Sequence, residues 1–240
     1  MILKNKLKIV LLTTNTPHHI YFARKFSRKL NLSHIIFESK KIKFNYDTIH
    51  PFEMKTDDYE KNYFQNKKIT FKNIAPSTQC YDINSTKSLD VLKNLRPNII
   101  LVYGTRKINT GIIKKFNGKI FNFHGGNPNK YRGLDSLLWS LYFRDFSNLL
   151  VTLHFLEKDL DTGDIIYKQK VKLNKTMKLH MLRSEVTEIC IRLAFKLINQ
   201  IMENNKISSY KNKTGKYYSA MPKFKKSTAL INFNKYVRTL

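Results

Sequence analysis

The sequence predicts an α/β chain built on a mostly parallel sheet, with a short C-terminal β-hairpin extension. Two observations carry this. Short apolar runs, KIVLLT near the start, IILVY at Ile99–Tyr103 and FNFH at Phe121–His124, read as buried strands. Between them lie segments with helical spacing of apolar residues, and strands alternating with helices argue for parallel βαβ units.

Lys8–Thr13 reads as the first buried strand rather than a leader peptide, because its apolar run is short and no small-x-small cleavage site follows. The loop Thr14-Asn15-Thr16-Pro17-His18-His19 then enters a helix that runs to Leu30. Thr and Asn before it, and Pro near its first turn, are start signals. Ser33–Phe37 reads as a second strand. From Glu38 to Phe71 the chain is polar and weakly periodic, with a short helix over Pro51–Asn62. Ser85–Leu95 reads as a helix, Ile99–Tyr103 as a strand and Gly111–Phe116 as a helical piece before the strand that carries Asn122 and His124. Leu134, Leu137, Leu138, Leu141 and Tyr142 form a core-facing helical stripe. Val151–Leu156 and Ile165–Val171 are strands around the loop Glu157–Asp164. Met177–Asn204 is a long amphipathic helix with Leu179, Leu182, Val186, Ile189, Leu193 and Leu197 on one side. Strand-like pieces around GKYYSAMP and TALINFN complete the tail. The expected division is a main domain, 1–205, and a small extension, 206–240, forming a hairpin.

The 240 residues carry 44 Lys and Arg against 17 Asp and Glu, a net charge of +27. That balance admits nucleic acid as a partner. The lysines are dispersed, however, and no zinc-finger, homeodomain or RNA-recognition signature is present, so nucleic-acid binding is disfavoured. No stretch approaches the ~20 apolar residues of a membrane span. The two cysteines, Cys80 and Cys190, have no metal or redox spacing, which points to a reduced, cytoplasmic setting and no metal.

The chemistry concentrates in FNFHGGNPNKYRG and, about thirty residues on, LDTGDII. In a strand Asn122 and His124 share one face while Phe121 and Phe123 take the other. Gly125 and Gly126 end the strand, so an amide donor and a proton-moving imidazole sit together at a strand's carboxyl end, where open α/β sheets bind ligands. A lone histidine on an apolar strand is commonly structural; the pairing with Asn122 favours catalysis for His124. For His154, on an apolar strand with no flanking glycine, structural support is the favoured reading. Asp161-Thr162-Gly163 also spells the aspartic-protease triplet, but that chemistry needs two such carboxylates and the chain has one triplet. Asp159 and Asp164 read as turn residues.

Asn-x-His, Tyr-Arg-Gly, Thr-x-His and Asp-x-Gly, here Asn122, His124, Tyr131, Arg132, Gly133, Thr152, His154, Asp161 and Gly163, together resemble the formyltransferases that use 10-formyltetrahydrofolate. The likeness covers roughly Pro97–Val171. HGG followed by YRGLDS is most similar to the enzymes that formylate amino groups on nucleotide-linked sugars. The resemblance implies a Rossmann-like fold of the formyltransferase type. It assigns Asn122 to the oxyanion, His124 to proton transfer and Asp161 to polarising the histidine or positioning water. It places the folate between Arg106, Lys107, Ile108 and Asn109 on one side and Leu156, Leu160 and Asp161 on the other. For the acceptor, a dTDP- or UDP-linked amino-deoxy sugar destined for surface polysaccharide (O-antigen), it implies Asn15, His18, His19, Tyr131 and Arg132. Asn15 as a helix cap and Arg132 as a surface residue stay open. It also implies that 1–205 is the catalytic domain and that the hairpin of 206–240 pairs two subunits in a homodimer. A shortened methionyl-tRNA formyltransferase-like enzyme, or a silent basic binding module on the same fold, are the alternatives.

Overall fold

The computed structural model describes residues 7–64, 69–204 and 206–240. The expected catalytic domain therefore includes 1–6, 65–68 and 205, which lie outside the described residues. Strands β1 (Ile9–Thr14), β2 (His34–Glu38), β3 (Ser77–Cys80), β4 (Ile99–Tyr103), β5 (Ile120–His124), β7 (Leu150–Phe155) and β8 (Ile165–Lys170) form one sheet in the order β3-β2-β1-β4-β5-β7-β8. The first five are parallel; β7 runs antiparallel to β5, and β8 antiparallel to β7. A second, two-stranded parallel sheet pairs β6 (Tyr131–Gly133) with β9 (Lys216–Tyr218).

Alternation along the central strands sends side chains into two cores. Ile9 and Leu11 of β1 join Phe22 and Phe26 of α1 (Pro17–Ser27) and Ile189 and Leu197 of α6 (Leu182–Asn204) on one face. Val10 and Leu12 join Leu92 of α3 (Thr86–Leu95) and Ile112 of α4 (Thr110–Lys115) on the other. Each helix starts where its sequence stops the strand. Pro17 occupies the first turn of α1; His50 and Glu53 form a reciprocal capping box on α2 (Pro51–Tyr63); Ser85 and Asn109 cap α3 and α4.

Two elements differ from expectation. His18 and His19 belong to the first turn of α1 rather than to a loop. The tail is not a hairpin: β9 pairs with β6 of the same chain, and TALINFN lies within α7 (Lys223–Val237), which packs on α5 (Ser136–Tyr142). Ala229, Phe233 and Val237 recur at four-residue spacing and are buried, so the 3.6-residue period wins over the strand-like composition. Among the described residues no helix is long and apolar enough to cross a membrane.

Candidate active site

The end of β5 fixes the first two side chains. Asn122 is registered opposite His154, and His124 opposite Thr152, on antiparallel β7. The Thr152 hydroxyl donates to the carbonyl of Gly126 at 2.8 Å, which pins the turn after the strand. The His124 ring is buried. Its Nε2 donates to the Tyr131 carbonyl at 2.9 Å, and its Nδ1 faces Asp161 Oδ2 at 3.3 Å.

Asp161 reaches this position because its loop folds back across the sheet. Its backbone is left-handed (φ 55°), a conformation that non-glycine residues enter at a cost. Gly163 packs so tightly on the Phe155 carbonyl that a Cβ there would overlap it. The amide of Gly133 donates to Asp161 Oδ2 at 2.8 Å. Burial pushes the Asp161 carboxyl up, but the neighbouring imidazoles, His124 foremost, and the hydrogen bond from Gly133 outweigh burial and hold it well below the usual carboxylate range.

Asn122 completes the cluster. Its Nδ2 lies 3.1 Å from His154 Nε2 and 3.3 Å from Asp161 Oδ1, and those two acceptors are 3.4 Å apart. They subtend roughly 60° at the amide nitrogen, so both lie on its donor side. His154 is fully buried and donates through Nδ1 to the Phe155 carbonyl at 2.7 Å, leaving Nε2 as the acceptor. It therefore orients Asn122.

Two cavities meet at this cluster. One, about 170 Å³, opens between the loop after β4 and the aspartate loop; Arg106, Lys107, Ile108, Leu156, Leu160 and Asp161 line it, with Asn122 and His124. Asn109 lies outside its lining: its side chain caps α4, accepting from Ile112 N at 2.9 Å. The Arg106 guanidinium is tied to Glu38 at 2.8 Å and Asp82 at 2.9 Å. The other cavity, about 400 Å³, is walled by Leu134, Leu137, Leu138, Leu179, Leu182 and Val186 and carries His18, His19, Glu53, Asp135 and Arg183. Gly104, Phe123, His124, Gly125, Gly133 and Leu134 line both.

The larger cavity collects only part of the expected acceptor set. Burial, helped by the Arg183 charge, pushes the His18 imidazole well down, and burial with neighbouring His18 does the same to His19, so both face the cavity as neutral rings. Asn15 is exposed and outside the lining, and Thr16, not Asn15, occupies the N-cap of α1. The Tyr131 hydroxyl donates to Asp145 at 3.0 Å, and the Arg132 guanidinium donates to the carbonyls of Gly215 (2.6 Å) and Leu160 (3.0 Å). Neither side chain enters the cavity.

Sequence reasoning missed Glu60. It is fully buried, held by Arg183 Nε at 2.6 Å and by His18 Nδ1 at 3.2 Å. Its one sequence signal is the four-residue spacing of Thr56 and Glu60, which puts both on the buried side of α2.

An asparagine, a histidine and an ionised aspartate thus converge between two cavities. The chain belongs to the formyl transferase family, whose sequence pattern matches residues 25–191. It is 31% identical over 157 residues to methionyl-tRNA formyltransferase of Finegoldia magna, covering 64% of this chain and 49% of that protein. It is 29% identical over 179 residues to the bifunctional polymyxin resistance protein ArnA of Wigglesworthia glossinidia brevipalpis, covering 73% of this chain and 27% of that one. The chain thus spans half or less of the length of these relatives. Among solved structures, the fold resembles the formyltransferase PseJ from Anoxybacillus kamchatkensis in complex with UDP-4,6-dideoxy-4-formamido-L-AltNAc and tetrahydrofolate, with a TM-score of 0.52 at 21% identity over 88% of this chain and 85% of that one. It also resembles a likely sugar N-formyltransferase from Mycobacterium tuberculosis, with a TM-score of 0.60 at 15% identity, over 89% and 75% of the two chains.

Proposed function

We propose that the chain transfers the formyl group of 10-formyltetrahydrofolate to the amine of a nucleotide-linked amino-deoxy sugar. The observation that carries this is the wall shared by the two cavities: His124 lines both, so a donor on one side and an amine on the other would meet at the same imidazole. The smaller cavity, with the apolar walls of Ile108 and Leu156 and the carboxylate of Asp161, fits a flat ring that carries polar edges. The bound folate supplies an activated formyl carbon. Asn122 offers an amide N–H to the carbonyl oxygen as that oxygen gains charge. His124, whose ring nitrogens both face acceptors, gives its Nε2 proton to the nitrogen that leaves and regains the proton that the attacking amine loses. Asp161, ionised at neutral pH, orients the ring and balances its charge.

Support for a sugar acceptor comes from the HGG and YRGLDS stretches and from the apolar walls of the larger cavity, which suit a deoxy sugar ring. His18 and His19 face that ring as uncharged hydrogen-bonding partners. The methionyl-tRNA relative and the charge of +27 favour the second reading, transfer to aminoacyl-tRNA. Incubation with 10-formyltetrahydrofolate and either a panel of nucleotide-linked amino sugars or methionyl-tRNA, followed by mass spectrometry for the gain of one formyl group, separates the two. Formylation of the tRNA alone refutes the sugar reading.

The proposed homodimer now rests on Phe224 and Ile231, exposed seven residues apart and hence on one face of α7. Sedimentation tests it: if the dimer exists, Ile231→Asp dissociates it, and a monomeric parent chain refutes it.

A further inference from the structure

The segment 210–215 follows α6 and lies beyond the residues matched by the family pattern, yet it touches both loops that build the site. Tyr210 exchanges two backbone hydrogen bonds with Ile165, at 2.8 and 2.9 Å. Two residues on, Asn212 is buried, and its Nδ2 donates to the carbonyls of Asp161 at 2.8 Å and Gly163 at 3.2 Å. Its Oδ1 accepts from Thr214 N at 2.9 Å, so both ends of the amide are used and its orientation is fixed. Gly215 then donates through its amide to the Pro128 carbonyl at 2.8 Å, while its own carbonyl accepts from Arg132, which also reaches the Leu160 carbonyl.

These contacts bear on the two acceptors of His124. The Tyr131 carbonyl sits in β6 and the Asp161 carboxylate on the loop before β8, and segment 210–215 is bonded to the chain on either side of the first, at Pro128 and Arg132, and to the backbone of the second. Asp161 is also the residue whose left-handed backbone needs outside support. We infer that segment 210–215 is a brace that sets the His124–Asp161 geometry, with Asn212 as a positioning residue for formyl transfer. The inference rests on the reaction proposed above.

The test compares Asn212→Ala with Asn212→Asp, which keeps the shape and the Thr214 contact but turns a second acceptor toward the two carbonyls. Both should lower kcat about 10–10²-fold, the scale of a reacting group displaced by an ångström or less, with KM for both substrates nearly unchanged. In an Asp161→Asn background the loss on adding Asn212→Ala should largely vanish, because the two residues act as a unit. Arg132→Met, which cuts only the Gly215–Leu160 bridge, should give a smaller loss of the same kind if the Asn212 variants do not fold. An Asn212→Asp protein that melts earlier but keeps kcat below its Tm, or a loss that adds fully to that of Asp161→Asn, overturns the brace. A readout independent of turnover is the His124 imidazole N–H proton resonance, assigned by its absence in His124→Gln. It should shift or broaden in both Asn212 variants, and an unchanged resonance also overturns the brace. Failure of the parent chain to formylate any acceptor counts against the proposed reaction, while the resonance still reads the brace.

Discussion

Lys226 of α7 is buried with its ammonium 2.7 Å from Glu53 of α2 and 3.5 Å from Asp135, the residue before α5. One cation from the tail thus bridges two carboxylates that line the larger cavity. Lys226→Met should cost about 2 kcal/mol in a urea titration, less than a fully buried pair because Glu53 keeps 34% exposure. It should also make the cavity more anionic and raise KM for a nucleotide-linked acceptor more than for the folate. Equal KM changes would argue that the acceptor's phosphates lie far from these carboxylates.

Gly104 is pressed against the ring of His19. Its φ is 75°, and a Cβ would overlap Cε1 and Nε2 of that ring. Gly104→Ala should therefore destabilise the chain by about 2–3 kcal/mol through backbone strain and overpacking. Since Gly104 lines both cavities, both KM values should rise. Unchanged denaturation midpoints would mean that His19 moves aside freely.

His124→Gln and Asn122→Ala remove groups proposed to act on the reacting atoms. The expected losses in kcat are about 10²–10⁴-fold for His124 and about 10²–10³-fold for Asn122, with the fold intact by circular dichroism. Near-parental kcat in either folded variant refutes the assignment of that residue.

Asp161→Asn keeps shape and deletes charge, so kcat should fall severely. Stability supplies an independent check. The folded carboxyl lies below the usual range, so its ionisation stabilises the native state above the unfolded-state pKa of ~3.9, and that contribution is lost as acid protonates the folded group. The stability gap between the parent chain and Asp161→Asn should be constant from pH 7 to about pH 5 and shrink on further acidification. A gap that widens in acid would contradict the carboxylate's surroundings.

The parts of the site that lie within one strand were legible from the chain alone. Asn122 and His124 share a face because strands alternate, and that holds wherever β5 sits in the sheet. β3, with the polar sequence STQC, was not legible; it is an edge strand that exists through pairing with β2. β6 and β9 are three residues each and define each other across the fold. Glu60, Lys226 and Asn212 take their roles from partners far away in sequence, as Lys226 does from Glu53 at a separation of 173 residues, and no periodicity encodes such pairs. The tail misled because Leu230 and Ile231 suit a strand, while packing against α5 selects a helix.

Asn212 follows Asp161 by 51 residues, which gives the site an order of assembly in time. At ~5–20 residues per second on the ribosome, the nascent chain presents the aspartate loop several seconds before the segment that fastens it. An arrested nascent chain ending just after α6 should already protect β5 from protease while its 157–164 loop is cut. Extending the same chain past residue 215 should silence that cleavage.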